Sequence, residues 1–155
     1  MRFEEWAEQV PEAFKSDPLW NVTAYRLATY LSYLAGHDVS RLTKDARTQK
    51  MASQLYRAVG SIGANIAEGY SRRSLRDQAR LYEYALGSAR EARHWYYQAY
   101  ILLGDDVLTH RFHVLTHIIR LLLKMIPTQR ANHIAEEPAL YFADIADIAD
   151  TPTPP

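Results

Sequence analysis

The chain has 155 residues, no cysteine, 48% hydrophobic side chains, and 18 Lys+Arg balanced by 18 Asp+Glu. That is enough apolar material for one domain and excludes a second large one; the missing thiols exclude a disulfide framework and a thiolate metal site. The opening Met1-Arg2-Phe3-Glu4-Glu5-Trp6 lacks a signal-peptide pattern and no apolar run reaches membrane-spanning length, so a cytoplasmic protein with no membrane partner is expected.

Residues 1–17 are expected to be an N-terminal segment, followed by a helical domain over 18–127. Asp17-Pro18 has the form of an N-cap with proline at the first helical position, where a missing N–H costs nothing. The first bundle helix follows, with Trp20, Ala24, Leu27, Leu31 and Leu34 along one seam. Gly36 is placed to stop it, leaving 37–43 as a linker. From about Lys44 a second seam steps by three and four through Ala52, Leu55, Val59, Ile62 and Ile66, with Gly69 as its expected stop.

Ser74-Leu75-Arg76-Asp77 has the form of a capping box and opens the third helix, expected to run to Leu103. Its inward positions are Leu75, Ala79, Tyr82, Leu86, Ala89, Tyr96, Tyr100 and Leu103. Gly104 ends it, and Phe112, Leu115, Ile119, Leu122 and Ile126 make a fourth seam closed by Pro127. Period-two patterning is nowhere sustained. Short connections between the later helices force antiparallel neighbours, so the fold is expected to be all-α, an antiparallel up-down four-helix bundle with a C-terminal tail. The tail, 128–155, is acidic and proline-rich, repeats Ile-Ala-Asp over 145–150, and is expected to be disordered at least toward its end.

The balanced charge hides a segregation. Residues 1–40 carry 3 basic and 6 acidic side chains, residues 41–93 carry 11 and 5, and residues 94–155 carry 4 and 7. The basic third is also patterned. Arg47, Lys50 and Arg57 lie opposite the seam of the second helix, Arg73, Arg76, Arg80 and Arg90 on an outer stripe of the third, and Arg72 at the turn between them. Gly87 interrupts the second stripe and leaves room for a close approach. Arginine suits a planar, bidentate grip on phosphate or carboxylate, so nucleic acid or an acidic partner is the expected ligand. The alternative is a solvated face with internal ion pairs.

Other chemistry finds less support. Glu91-Ala92-Arg93-His94 is a single Glu-x-x-His, whereas a di-iron carboxylate centre needs two. His110, His113 and His117 recur at i, i+3 and i+7 and could converge on a metal, although only Asp106 lies near to orient a ring. No serine has a recognisable base, and Gly60-Ser61-Ile62-Gly63 lacks the lysine of a phosphate loop. No catalytic residue and no cofactor is assigned. Trp95-Tyr96-Tyr97 covers every side of its helix, which points to burial against a second subunit.

Gln54-Leu55-Tyr56-Arg57-Ala58-Val59, then Ser61-Ile62-Gly63-Ala64-Asn65-Ile66-Ala67-Glu68-Gly69, then Ala85-Leu86-Gly87-Ser88-Ala89 resemble the bacterial four helix bundle protein family. That family includes proteins encoded in intervening sequences of large-subunit ribosomal RNA genes and the accessory variability determinant (Avd) proteins of diversity-generating retroelements. The resemblance covers about residues 18–127. It implies the bundle fold, a ring-shaped homopentamer and no enzymatic activity. For the retroelement branch it implies a basic surface that engages nucleic acid and a reverse transcriptase. Asn65 and Glu68 match the signature and are expected to fix the end of the second helix and a subunit contact. The family usually has proline where Gly63 stands.

The leading expectation is therefore a non-catalytic oligomeric adaptor with a basic face for nucleic acid or an acidic partner. A protein-interaction scaffold without nucleic acid, docking through Leu140-Tyr141-Phe142, is the runner-up. Metal-dependent activity at the three histidines is a third. The carboxylates Glu136, Glu137, Asp144, Asp147 and Asp150 are also placed to compete with a polyanion for the arginines.

Overall fold

The structure is a computed structural model, described over residues 1–126. Leu140-Tyr141-Phe142 and the acidic positions of the tail lie outside the described residues. The elements are α1 (Phe3–Gln9), α2 (Glu12–Lys15), a 3-10 turn (Pro18–Asn21), α3 (Thr23–Leu42), α4 (Gln49–Tyr70), α5 (Leu75–Gln98), α6 (Tyr100–Leu103) and α7 (Asp105–Met125). No strand occurs among the described residues. The four long helices form the up-down ring of neighbours α3, α4, α5, α7, with α7 closing back on α3. The all-α bundle expected from the seams is the fold observed.

The seam residues explain why. Leu27, Leu31, Leu34, Leu55, Val59, Ile62, Ile66, Leu115 and Leu122 are all at most 1% exposed, as are Ala85, Ala89 and Tyr96 of α5, so four stripes share one core to which the leucines, isoleucines and valine bring most of the buried area. Each such side chain contributes about 1.5–3 kcal/mol when fully buried.

Several boundaries differ from the sequence expectation. Asp17 Oδ1 accepts from the Leu19 N–H at 2.8 Å, and the proline it precedes opens a 3-10 turn rather than the α-helix, which starts at Thr23. Gly36 does not stop that helix. A continued helix buries Asp38 and Leu42, and burying a leucine outweighs the roughly 1 kcal/mol a mid-helix glycine costs. Residues 37–42 are thus helical, and the connection is only 43–48.

α4 runs one residue past Gly69, to Tyr70. Ser74 Oγ accepts from the Asp77 N–H at 3.4 Å, which is the serine half of the expected capping box; the Asp77 carboxylate lies instead 3.7 Å from Arg80 Nη2. The third helix breaks at Ala99, before the short α6, and Gly104 ends α6 with φ +84°, a left-handed conformation natural to glycine. Leu75 and Tyr100 are not inward: Leu75 is the first residue of α5, Tyr100 lies past the break, and both are exposed.

The N-terminal segment adds to the core. Phe3 and Trp6 of α1 are buried, with the Trp6 ring 5.3 Å from Tyr30, 6.0 Å from Trp20 and 6.4 Å from Tyr33. The Tyr30 hydroxyl donates to the Met1 carbonyl at 2.9 Å. These contacts fasten α1 to α3.

The glycines of α4 and α5 differ in what they permit. A Cβ at Gly69 would lie 2.7 Å from Tyr82 Cε1 and 3.3 Å from Leu81 Cβ, so Gly69 lets α4 and α5 touch beside their turn. At Gly87 a Cβ meets nothing within 4 Å. Gly87→Ala is expected to stabilise by about 0.5–1 kcal/mol through helix propensity. Gly69→Ala is expected to destabilise by about 1 kcal/mol, because overpacking of 1–3 kcal/mol exceeds the same propensity gain. Opposite shifts of the urea midpoint test this; two shifts of the same sign refute it.

Candidate nucleic-acid interface

The eight basic residues singled out above are all exposed on α4, α5 and the connections beside them, but they do not form one patch. With a rise of about 1.5 Å per residue, the whole length of α4, about 30 Å, separates Arg47 just before its start from Arg72 just past its end. Arg47 and Lys50 sit where α4 begins. Arg57 and Arg90 lie midway. Arg72, Arg73, Arg76 and Arg80 come together around the α4–α5 turn, the densest basic stretch of the sequence.

Half of the eight have a carboxylate. Arg57 Nη2 donates to Glu91 Oε1 at 3.0 Å, bridging α4 to α5, and to Gln54 Oε1 at 2.6 Å. Arg72 pairs with Glu68 on the preceding turn, and Arg80 Nη2 lies 3.7 Å from Asp77 Oδ1. Arg47 forks over Asp45, with Nη2 to Oδ2 at 2.5 Å, and these side-chain and backbone hydrogen bonds hold the Asp45 pKa down to about 2. The ion pairs among the described residues leave Lys50, Arg73, Arg76 and Arg90 without a carboxylate. An exposed pair contributes only about 0–1 kcal/mol, so Arg72 and Arg80 can exchange their carboxylates for a phosphate at little cost. Leu75, 68% exposed, stands between Arg73 and Arg76.

The signature residues are placed around this turn. Asn65 Nδ2 donates to the Ser61 carbonyl at 2.8 Å, a bond within α4, and Glu68 holds Arg72. Gly63 lies against α3, where a Cβ would be 3.8 Å from Ala28 Cβ.

The histidines of α7 divide between inside and outside. His110 and His117 are buried, His113 is exposed, and among the described residues no three metal-ligating side chains come together. Glu91 of the lone Glu-x-x-His is taken by Arg57 and accepts from Trp95 Nε1 at 3.3 Å, while the His94 ring packs edge-on against Trp95. Burial of Trp95-Tyr96-Tyr97 needs no second subunit for Tyr96, which is fully buried inside this one; Tyr97 remains 64% exposed.

What keeps Tyr96 inside is a polar cluster that the sequence reading missed. Asp38 Oδ2 accepts from Arg111 Nε at 2.7 Å and from the Tyr96 hydroxyl at 3.0 Å, and Asp38 Oδ1 accepts from Arg111 Nη2 at 3.0 Å. Arg111 Nη1 is 2.7 Å from His110 Nδ1. The side chains of Asp38 and Arg111 are 3% and 2% exposed, so this is a buried, bidentate ion pair tying α3, α5 and α7 together. It lies at the end of the bundle opposite the arginine turn. Burial, then the Asp38 charge, pushes the Tyr96 hydroxyl well above its ordinary pKa. Burial also works against the charge on Arg111, but its bonds to Asp38 outweigh this and raise its pKa. The signal was present: Leu31, Leu34, Asp38 and Leu42 step by three and four, with an acid in a seam position.

No helix among the described residues is long and apolar enough to cross a membrane. No curated protein and no solved structure matches the chain. A protein family does, over residues 23–126, which is α3 through the end of α7. The match begins where the α-helical bundle begins and includes both stripes and the turn. The chain belongs to the 23S rRNA-intervening sequence protein family.

Proposed function

We infer that the protein is a non-catalytic, self-associating adaptor that binds nucleic acid through the arginine turn between α4 and α5. The observation that carries this is the grouping of Arg72, Arg73, Arg76 and Arg80 on one exposed turn with only two carboxylates of the described residues committed to them. Phosphate contacts of this kind need positive charge and exposure more than a shaped cavity. An acidic protein surface, such as that of a reverse transcriptase, satisfies the same groups. Arg57 and Arg90 extend the track along the bundle, and the bare Gly87 beside them leaves room for a strand to lie close. Arg47, already forked over Asp45, and Lys50 form the far end of the track.

Self-association, as a pentamer in the family's manner, is supported by the apolar surface left at the other end: Tyr97, Tyr100, Ile101 and Leu102 are all exposed, Ile101 at 89%. The same surface favours the second reading, a protein scaffold without nucleic acid.

Binding of single-stranded RNA across a salt series separates the two. Replacing Arg73, Arg76 and Arg80 together by Glu is expected to weaken binding at least about tenfold near 0.1 M salt and to flatten the log–log salt slope by about 2. Unchanged affinity in that variant refutes the turn as the site. Native mass spectrometry of the unmodified protein tests the assembly.

A further inference from the structure

The ring order of the helices places the C-terminal end of α7 beside the first turn of α5, because the two are antiparallel neighbours. The chain beyond Ile126 therefore departs from the same end of the bundle as the arginine turn. Residues 127–155 carry five carboxylates against one arginine, Arg130. We propose that the stretch Asp144–Asp150 docks on the Arg72–Arg80 turn of the same chain and competes there with polyanion. This rests on the reading of that turn as the polyanion site.

Reach is ample. From Ile126 to Asp144 the chain can span about 60 Å when extended, whereas neighbouring helix axes are about 8–10 Å apart. Tethering also supplies an effective concentration in the millimolar range, so weak contacts suffice.

The chemistry of the two segments is complementary in pattern as well as sign. Asp144, Asp147 and Asp150 recur every third residue with Ile145 and Ile148 between them. Across the turn, among the described residues, Arg73 and Arg76 lack a carboxylate and Arg80 has only a loose one at 3.7 Å, while Leu75 offers an exposed apolar contact between the first two. An acid-apolar-acid stretch satisfies that surface, while a chain of phosphates satisfies the arginines and leaves Leu75 in water. Occupation by the tail is electrostatic in origin and weakens as the Debye length falls from about 10 Å at 0.1 M salt to 3 Å at 1 M.

The absence of native cysteine allows a direct test in the full chain. Leu75→Cys with Ile148→Cys is expected to form an intramolecular disulfide under mild oxidation at least about fivefold faster than Tyr56→Cys with Ile148→Cys, Tyr56 being exposed but more than 20 Å along α4 from the turn. High salt should abolish the difference. Equal rates, no response to salt, or cross-linking only between chains overturns the docking. In a second measurement, Asp144→Asn, Asp147→Asn and Asp150→Asn together should tighten binding of an RNA of about 20 nucleotides some five- to tenfold at low salt. Unchanged RNA affinity overturns the competition. No RNA binding by either protein refutes the polyanion reading and the competition with it, while the cross-linking rates still decide whether the tail docks.

Discussion

Asp38→Ala is expected to destabilise the bundle by about 3–5 kcal/mol, the usual consequence of removing one partner from a buried ion pair. The loss is large because of what stays behind. Arg111 keeps its charge with a 2% exposed side chain, two of its donors lose their acceptor, and the Tyr96 hydroxyl loses the oxygen it bonds at 3.0 Å. Total stabilities of single domains are about 5–15 kcal/mol, so one substitution removes about a fifth or more. A variant that removes both charges and the hydroxyl, leaving of the cluster only the neutral His110 ring, behaves differently. Asp38→Leu, Tyr96→Phe and Arg111→Met together leave no orphaned charge and fill the space with apolar groups; stability is then expected within about 2 kcal/mol of the unmodified protein. Urea unfolding of both variants measures this. A single-variant loss below 1 kcal/mol, or a triple variant less stable than the single one, contradicts the account. The same pair offers a reason for its retention. Leucine seams tolerate sliding, whereas Asp38, Tyr96 and Arg111 meet in only one register of α3, α5 and α7.

The bundle was legible because its seams are regular. Ala52, Leu55, Val59, Ile62 and Ile66 were all placed inward by spacing alone, and all five are fully buried. The errors have a common cause: local signals were given precedence over burial. Gly36 has a stop-like character, but the helix that passes through it buries Asp38 and Leu42, and tertiary packing decides. That one choice also hid the buried cluster, because an aspartate assigned to a linker attracts no question about its partner. α1 was missed for a related reason: seven residues make barely two helical turns, shorter than the window over which a period stands out, and only tertiary contacts with Tyr30 and Trp20 reveal why Phe3 and Trp6 are apolar. The arginine turn was legible in composition. Its division into paired and unpaired arginines was not, since Glu91 meets Arg57 across two helices and 34 residues of sequence.

Lowering the pH from 7 toward 4 is expected to remove about 3 kcal/mol of stability through His110 alone. Its ring is fully buried. Arg111 can only donate, so the Nδ1 it meets at 2.7 Å must be the unprotonated nitrogen, and the neutral ring carries its hydrogen on Nε2. Nε2 is buried without a hydrogen-bond partner among the described residues, with the Tyr30 ring edge-on at 6.2 Å. Protonation would therefore charge a buried ring and aim a new N–H at a guanidinium. Burial first, then the Arg111 charge, lowers the His110 pKa to about 4; Asp38 acts in the opposite sense and His113 adds to the lowering. In the unfolded chain the same ring titrates near 6.5. Above that pH both states hold it neutral and its contribution is complete. As the pH falls toward 4, the unfolded state takes up a proton that the folded state refuses, and stability declines by up to about 1.4 kcal/mol per unit. His110→Gln can keep an acceptor for Arg111 and does not titrate, so its stability should fall more slowly over the same interval. Because carboxylates titrate equally in both proteins, the difference between their urea-unfolding free energies at pH 7, 6 and 5 isolates the histidine. Parallel pH profiles would show that His110 takes up its proton equally well in the folded and unfolded states, and the buried neutral ring would have to be given up.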